Sequence, residues 1–285
     1  RNNLGDFYHL LLYNISMIKR IYIEITNQYK LRCSFCDFHH REIKEMNLDE
    51  FEIILKEIQP ITSFIYLHVQ GEPFCHSQWD KILNLCENYN MKVHIVTNGL
   101  LLPETLSYSC IRKVSISIHS IDEHNYDTKL YMNRILQFIK KNHSKFYIDL
   151  RFWVIDRLKE KSKFCLDYLK KEFEFEITKK KQSYRIYENT FVSFASSFEW
   201  PDTANNKSKH GTCKGAKNML AILSDGQVTI CCLDNHGSIH LGNIFETSLK
   251  QILASSYYQS IINGFNENKC IAQLCQKCTY RNRFR

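Results

Sequence analysis

The feature that most limits the fold is an alternation of short apolar runs with amphipathic segments. The runs "RIYIEIT", "FIYLHVQ", "KVHIVTN", "KVSISIHS" and "FYIDLRFWVI" are rich in the β-branched and aromatic residues of strands. Between them lie "NLDEFEIILKEI", "SQWDKILNLCENY" and "DTKLYMNRILQFIKKN", whose apolar residues recur at helical spacing. Strands joined through helices run parallel, since a parallel neighbour needs a crossover and a hairpin cannot supply one. The expected fold class is α/β, a partial (β/α)6 TIM-like barrel with a small C-terminal cluster-binding domain. In such sheets the loops that carry chemistry converge at the carboxyl ends of the strands.

The informative residues fall at those ends. Cys33 and Cys36 follow the first strand at C-x-x-C spacing, Gly71, Glu72 and Pro73 follow the second, and Thr97, Asn98 and Gly99 close the third. Ser115, Ser117 and His119 share one face of the fourth strand by its period of two, and Arg151 lies in the fifth. Gly-Glu-Pro and Asn-Gly are also ordinary turn formers, and it is their recurrence at one end of successive strands that points to a site.

Twelve cysteines argue for metal binding or redox chemistry over a disulfide framework, because no secretion signal is recognisable. Cys86, Cys110 and Cys165 sit in helical or apolar contexts and read as packing residues. A second cluster lies in the tail. Cys213 precedes and Cys231 follows a two-strand hairpin turning at Asp225-Gly226, and "CIAQLCQKCTY" carries Cys270, Cys275 and Cys278. A hairpin with a thiolate at each end, met by a distant C-x-x-C, makes a four-thiolate site for zinc or a [4Fe–4S] cluster. Cys232 is expected on the opposite face of its strand, in packing.

No apolar run reaches the ~20 residues of a membrane span. The hydrophobic fraction of 44% fits a globular chain. The net charge of +8 is scattered, apart from "ITKKKQS" and "YRNRFR", so a nucleic-acid partner is not expected and a cytoplasmic location is. The segments expected are 1–16 as upstream or non-native sequence, 17–200 as the barrel and 201–285 as the cluster domain, with the Trp200-Pro201 breaker at the boundary. The stretch "KKKQSYRIYENTFVSFASSFEWPD" between barrel and tail is too generic to interpret.

From about Ile21 onward the sequence resembles the radical S-adenosylmethionine (SAM) enzymes that carry a SPASM- or twitch-type C-terminal cluster domain. The resemblance rests on "EITNQYKLRCSFC" against a C-x-x-x-C-x-aromatic-C loop, on "VQGEP", "TNG" and "VSISIHS", and on Cys213, Gly226, Cys231, Cys275 and Cys278. It implies a [4Fe–4S] cluster on Cys33 and Cys36, with SAM chelating an iron that no protein group holds. Phe35 would lie near the adenine, and Gly71, Glu72 and Pro73 would receive the methionyl ammonium, a natural partner for a carboxylate. Ser117 and Arg151 would serve ribose and carboxylate, and Thr97 and Asn98 would complete the cofactor site. An auxiliary [4Fe–4S] cluster would sit on Cys213, Cys231, Cys275 and Cys278. A 5′-deoxyadenosyl radical would modify a peptide or small molecule, with flavodoxin or ferredoxin as electron donor.

One position departs from the pattern. Tyr29 stands where the first of three cluster cysteines would be, and a phenol with a pKa near ~10 competes poorly for cluster iron. Cys75, His39 or His40 could substitute. Three readings stay open: an active enzyme, a non-catalytic cluster-binding or electron-transfer protein on the same fold, and a zinc tail with a Cys33/Cys36 dithiol.

Overall fold

The computed structural model describes residues 18–31, 33, 36, 41–154, 157–178, 181–196, 200–201 and 207–284. Phe35, His39 and His40 lie outside the described residues, as does the 1–16 segment. The chain forms β1 (Arg20–Ile23), α1 (Leu48–Ile58), β2 (Phe64–Tyr66), α2 (Trp79–Asn88), β3 (Lys92–Thr97), β4 (Ile111–Ser117), α3 (Thr128–Asn142), β5 (Tyr147–Trp153), α4 (Glu160–Phe173), β6 (Ser183–Tyr187) and β7 (Thr190–Ala195). After these come β8 (Met219–Ile222), β9 (Gln227–Thr229), β10 (Gly242–Asn243), α5 (Leu249–Ala254), α6 (Ser256–Asn266) and α7 (Gln273–Lys277).

Local chemistry sets the helix starts. Asn47 caps α1 in a reciprocal box with Glu50, and the Asp127 carboxylate accepts from the amides of Lys129 and Leu130 at the start of α3. Their inner faces bury Phe51, Ile54, Leu55 and Ile58 on α1, and Met132, Ile135 and Ile139 on α3. Each such side chain contributes roughly 1.5–3 kcal/mol on burial.

The strands make one open ten-stranded sheet in the order β10-β9-β8-β1-β2-β3-β4-β5-β7-β6. β1, β2, β3, β4, β5 and β7 run parallel, so six strands of a partial, unclosed barrel present their carboxyl ends along one edge, where the tail strand β8 adds a seventh. The sixth is β7, whose antiparallel partner β6 forms the outer edge; both lie in the stretch that sequence reasoning left uninterpreted. The tail hairpin is continuous with the barrel sheet. β8 pairs parallel with β1, with Arg20 opposite Met219 and Ile23 opposite Ile222, and β9 turns back along β8.

One expectation about β4 needs correcting. The strand stops at Ser117, and Ile118–Glu123 winds into a 3-10 turn that buries Ile118 and Ile121. The Ser120 hydroxyl donates to the Ser117 carbonyl at 2.7 Å, closing the turn. His119 therefore leaves the strand face; its Nδ1 lies 3.1 Å from the Arg151 carbonyl oxygen and its ring packs 4.1 Å from Trp153.

Gly71 marks the tightest approach at the carboxyl edge. A Cβ there would sit 1.9 Å from the Thr26 carbonyl oxygen and 2.9 Å from the Asn27 Cα, with no flexible side chain to yield. Gly71→Ala should push the loop after β2 away from the end of β1. Urea unfolding should show a loss on the order of 3 kcal/mol, the upper range for overpacking.

Candidate functional site

The loop holding Cys33 and Cys36 leaves β1 and is tied down at both ends. The Asn27 side chain donates to the Glu42 carbonyl at 2.7 Å and accepts from the Lys44 amide at 2.7 Å. The Met46 amide reaches the Ile25 carbonyl at 2.8 Å. Glu24 is fully buried and saturated: it pairs with Arg41 at 2.7 Å and accepts from the amides of Gln70 and Ser224, each at 3.2 Å. One carboxylate thus joins the ends of β1, β2 and β8. An uncompensated charge there would cost several kcal/mol, so Arg41 and the two amides are what make its burial tolerable.

Within the loop, Cys33 is buried and its thiol is hydrogen-bonded to Cys36, which together with burial holds it well above the ordinary thiol range. The Cys36 amide donates to the Cys33 carbonyl at 3.0 Å. His124, from the turn after β4, brings Nε2 to 3.3 Å from the Cys33 sulfur. No spacing in the sequence announces His124; only the fold carries it 91 positions back to Cys33. Tyr29 and Cys75 line one cavity of about 330 Å³ with Gln28, Lys30, Phe74 and Leu101.

The adjoining loops converge on Glu72. Its amide donates to the Gln28 carbonyl at 2.8 Å, which fixes it against the cysteine loop. Its carboxylate is buried and accepts from the Thr97 hydroxyl at 2.7 Å, the Asn98 amide at 2.8 Å and the Phe74 amide at 3.3 Å. Burial pushes its pKa up to about 7, against those three donors. Pro73 opens the 3-10 turn Pro73–Cys75. Gly99, at φ +83°, lets the chain turn after Asn98, and the buried Tyr131 hydroxyl donates to the Asn98 carbonyl at 2.8 Å. On the neighbouring strands β4 and β5, Ser117 stands in register with Arg151. Gly71, Glu72, Pro73, Thr97, Asn98, Cys33 and Cys36 therefore share one edge of the sheet.

The tail thiols gather elsewhere. The hairpin runs from Cys213 up β8, turns at Gly226 with φ +85°, and returns to Cys231, so both cysteines lie toward the amino end of β1. Cys213, Cys231, Cys275 and Cys278 all line a cavity of about 470 Å³ that opens into the barrel lumen. Backbone amides face their sulfurs: Gly215 donates to Cys213 at 3.3 Å, with further amide contacts from Leu233 to Cys231 and from Tyr280 and Arg281 to Cys278. Such N–H···S contacts stabilise a thiolate and tune a cluster's potential. Burial meanwhile raises all four thiols. Among the described residues no group of three or more His, Cys, Asp or Glu side chains stands at the spacing that grips a single metal ion. The four thiols instead sit around one cavity wall.

The other cysteines take different places. Cys270 is buried, donates toward the Gly211 carbonyl at 3.5 Å and receives an Arg281 guanidinium hydrogen bond. Cys232 lines the same cavity as the four tail thiols, packs against the cluster of Tyr22, Val69, Ala221 and Leu223, and hydrogen-bonds Tyr22. Cys86, Cys110 and Cys165 are buried as expected, and all twelve cysteines are free thiols. Among the described residues no helix is long and apolar enough to cross a membrane.

The sequence matches the radical SAM superfamily over residues 23–172 and an iron–sulfur cluster-binding domain, SPASM, over residues 213–279. It is similar to the tungsten-containing aldehyde ferredoxin oxidoreductase cofactor-modifying protein of Pyrococcus furiosus, 30% identical over 94 residues. That match covers 31% of this chain and 26% of the relative, so it spans about a quarter of the curated relative's length. Among solved structures, BtrN in complex with AdoMet and 2-DOIA superposes with TM-score 0.58 at 15% identity, over 92% of this chain and 93% of that one. Streptococcus suis SuiB bound to SAM gives 0.60 at 16%, over 96% and 76%. The anSMEcpe structure with AdoMet and the Kp18Cys peptide gives 0.57 at 16%, over 92% and 86%.

Proposed function

Because the chain belongs to the radical SAM superfamily, we propose that it is an enzyme that cleaves SAM reductively and modifies a peptide or small-molecule substrate within the barrel lumen. The observation that carries this reading is the hydrogen-bonded Cys33/Cys36 pair at the sheet edge that also holds Glu72. The superfamily's cofactors are a [4Fe–4S] cluster and SAM, and together they supply a 5′-deoxyadenosyl radical when an electron arrives. Cys33 and Cys36 would hold the barrel cluster, while Cys213, Cys231, Cys275 and Cys278 would hold the auxiliary one. Phe35 would lie by the adenine, Ser117 and Arg151 by the ribose and carboxylate, and Gly71, Pro73, Thr97 and Asn98 would shape the cradle around Glu72. Similarity to SuiB and anSMEcpe, both solved with peptides, supports a peptide substrate. A flavodoxin or ferredoxin would bring the electron, in a reducing cytoplasm suited to twelve free thiols.

Anaerobic reconstitution, iron and sulfide counting and 5′-deoxyadenosine assay under dithionite test this reading. Tyr29 favours a second one, a non-catalytic cluster-binding protein. About four irons per chain and no SAM cleavage, both unaltered by Tyr29→Cys, would select it, whereas SAM cleavage by the parent, or about eight irons with cleavage in Tyr29→Cys, would support the enzyme.

Glu72 makes the enzyme reading pH-sensitive. Its folded pKa of about 7 lies above the ordinary carboxylate value of 4.5, so the folded chain holds this proton more tightly than the unfolded chain does. The stability tied to the protonated form is fully present below about pH 4.5 and is lost as pH rises through 7, a term of roughly 3 kcal/mol. An ammonium ligand reverses this by stabilising the ionised form. SAM affinity should accordingly rise several-fold from pH 6 to pH 8, and Glu72→Gln should bind weakly with a flat profile. Equilibrium dialysis across that range checks both.

A further inference from the structure

The barrel lumen holds a set of groups that the cofactor roles above leave without a task. Arg20 and His68 both line the cavity shared with the tail thiols. The Nε of Arg20 and the Nδ1 of His68 are shut off from solvent and bond to no protein atom among the described residues. A buried polar atom left without a hydrogen bond is costly, so two beside one cavity mark residues whose polarity the protein's own packing does not use.

Their surroundings define what that ligand must be. Tyr22 stacks on Tyr66 at 4.5 Å, and Tyr66 meets His94 at 4.5 Å, giving a continuous aromatic wall. The Arg20 guanidinium carbon lies 5.9 Å from the Tyr66 ring centre, and His68 lies 6.1 Å from it, so a planar molecule lying across Tyr66 reaches both. No Asp or Glu lines the cavity among the described residues. The charge in this wall is positive: burial keeps the His94 imidazole neutral, and His68, Lys113, Arg151 and Arg20 all act on it in the same direction. Glu24, the buried acid at the end of the same strand as Arg20, is already saturated by Arg41 and two amides.

We propose that this wall is a substrate subsite for a planar or aromatic molecule bearing a carboxylate, anchored by Arg20 at the amino end of β1 and oriented by a polar group that bonds His68 nearer the carboxyl edge. It deepens the enzyme reading and rests on it. The Arg20 fork is suited to a carboxylate, and the ring edges of the Tyr22–Tyr66–His94 row, whose faces pack on one another, to the flat face of an apolar body. Anchoring the charge deep turns the far end of the molecule toward Glu72 and the cysteine loop, where hydrogen abstraction would occur.

The test uses the full chain with its tail cluster reconstituted and three probes: 4-hydroxybenzoate, benzoate and methyl 4-hydroxybenzoate. Binding is read by calorimetry, while iron content and SAM cleavage are measured separately on the same preparations. 4-Hydroxybenzoate should bind at least about tenfold more tightly than its methyl ester, the size of effect expected for a charge-assisted bidentate contact. Arg20→Gln should abolish that difference, and His68→Ala should abolish the preference for 4-hydroxybenzoate over benzoate. Equal binding of acid and ester, or an unchanged ratio in Arg20→Gln, would overturn the proposal. So would loss of tail iron in Arg20→Gln with His68→Ala binding all three probes as the parent does, because Arg20 would then serve the cluster. Carboxylate preference without SAM cleavage would keep the subsite and sink the enzyme reading; cleavage without preference would do the reverse.

Discussion

Tyr29→Cys should raise the iron content of the reconstituted chain by about four atoms and its SAM cleavage by about tenfold or more. The described residues around it are already tied together. Asn27 locks the strand-one end, the Glu72 amide is bonded to the Gln28 carbonyl at 2.8 Å, and the Cys33 and Cys36 thiols touch. What differs is the donor: a soft thiolate loses its proton on binding iron, whereas a phenol offers a harder oxygen and a more tightly held proton. Cys75 supplies the control, because it lines the same cavity as Tyr29. If Cys75 already completes the site, Cys75→Ser will strip iron from the parent chain and Tyr29→Cys will add none. If it does not, Cys75→Ser will be silent in both backgrounds. Inductively coupled plasma measurement of iron, together with chromatographic quantification of 5′-deoxyadenosine, decides between the outcomes.

How far the sequence discloses this architecture depends on how local each signal is. The first five parallel strands were legible because each is a short apolar run between turn formers, and the residues at their carboxyl ends fell where periodicity put them. β6 and β7 were not, because β6 is an edge strand with Arg185 and Tyr187 exposed, and an edge strand loses the apolar contrast that marks a core one. The pairing of β8 with β1 joins residues some 200 positions apart, and nothing local encodes it. His119 read as a strand residue because period two was extended one step too far, past the 3-10 turn closed by Ser120. The cysteine spacings were legible as chemistry. The unsatisfied atoms of Arg20 and His68 were not, since an unmet hydrogen bond is a property of the packed lumen and leaves no trace in sequence.

The tail site carries the second large effect. Replacing Cys213, Cys231, Cys275 or Cys278 singly by Ser should remove most of the auxiliary cluster, about four irons per chain, and its charge-transfer absorption with them. Serine keeps the volume but presents an alcohol, whose proton is harder to displace than a thiol's. Cys33→Ser and Cys36→Ser should leave this iron in place, since the four tail thiols share a cavity wall without help from the barrel's carboxyl edge. Two further cysteines sharpen the test. Cys270→Ser should keep the iron, because that sulfur is already engaged by Arg281 and directed at the Gly211 carbonyl. Cys232→Ala should keep it too, as that side chain is engaged by Tyr22. The consequence should reach folding as well as iron. The hairpin that bears Cys213 and Cys231 is also a strand of the barrel sheet, and cluster binding free energy is in part folding free energy. Limited proteolysis of the Cys231→Ser chain should therefore cut between β8 and the C-terminal helices faster than in the parent. Unchanged iron in any of the four serine variants, or iron lost in Cys270→Ser while one of the four retains it, would redraw the ligand set around Cys270.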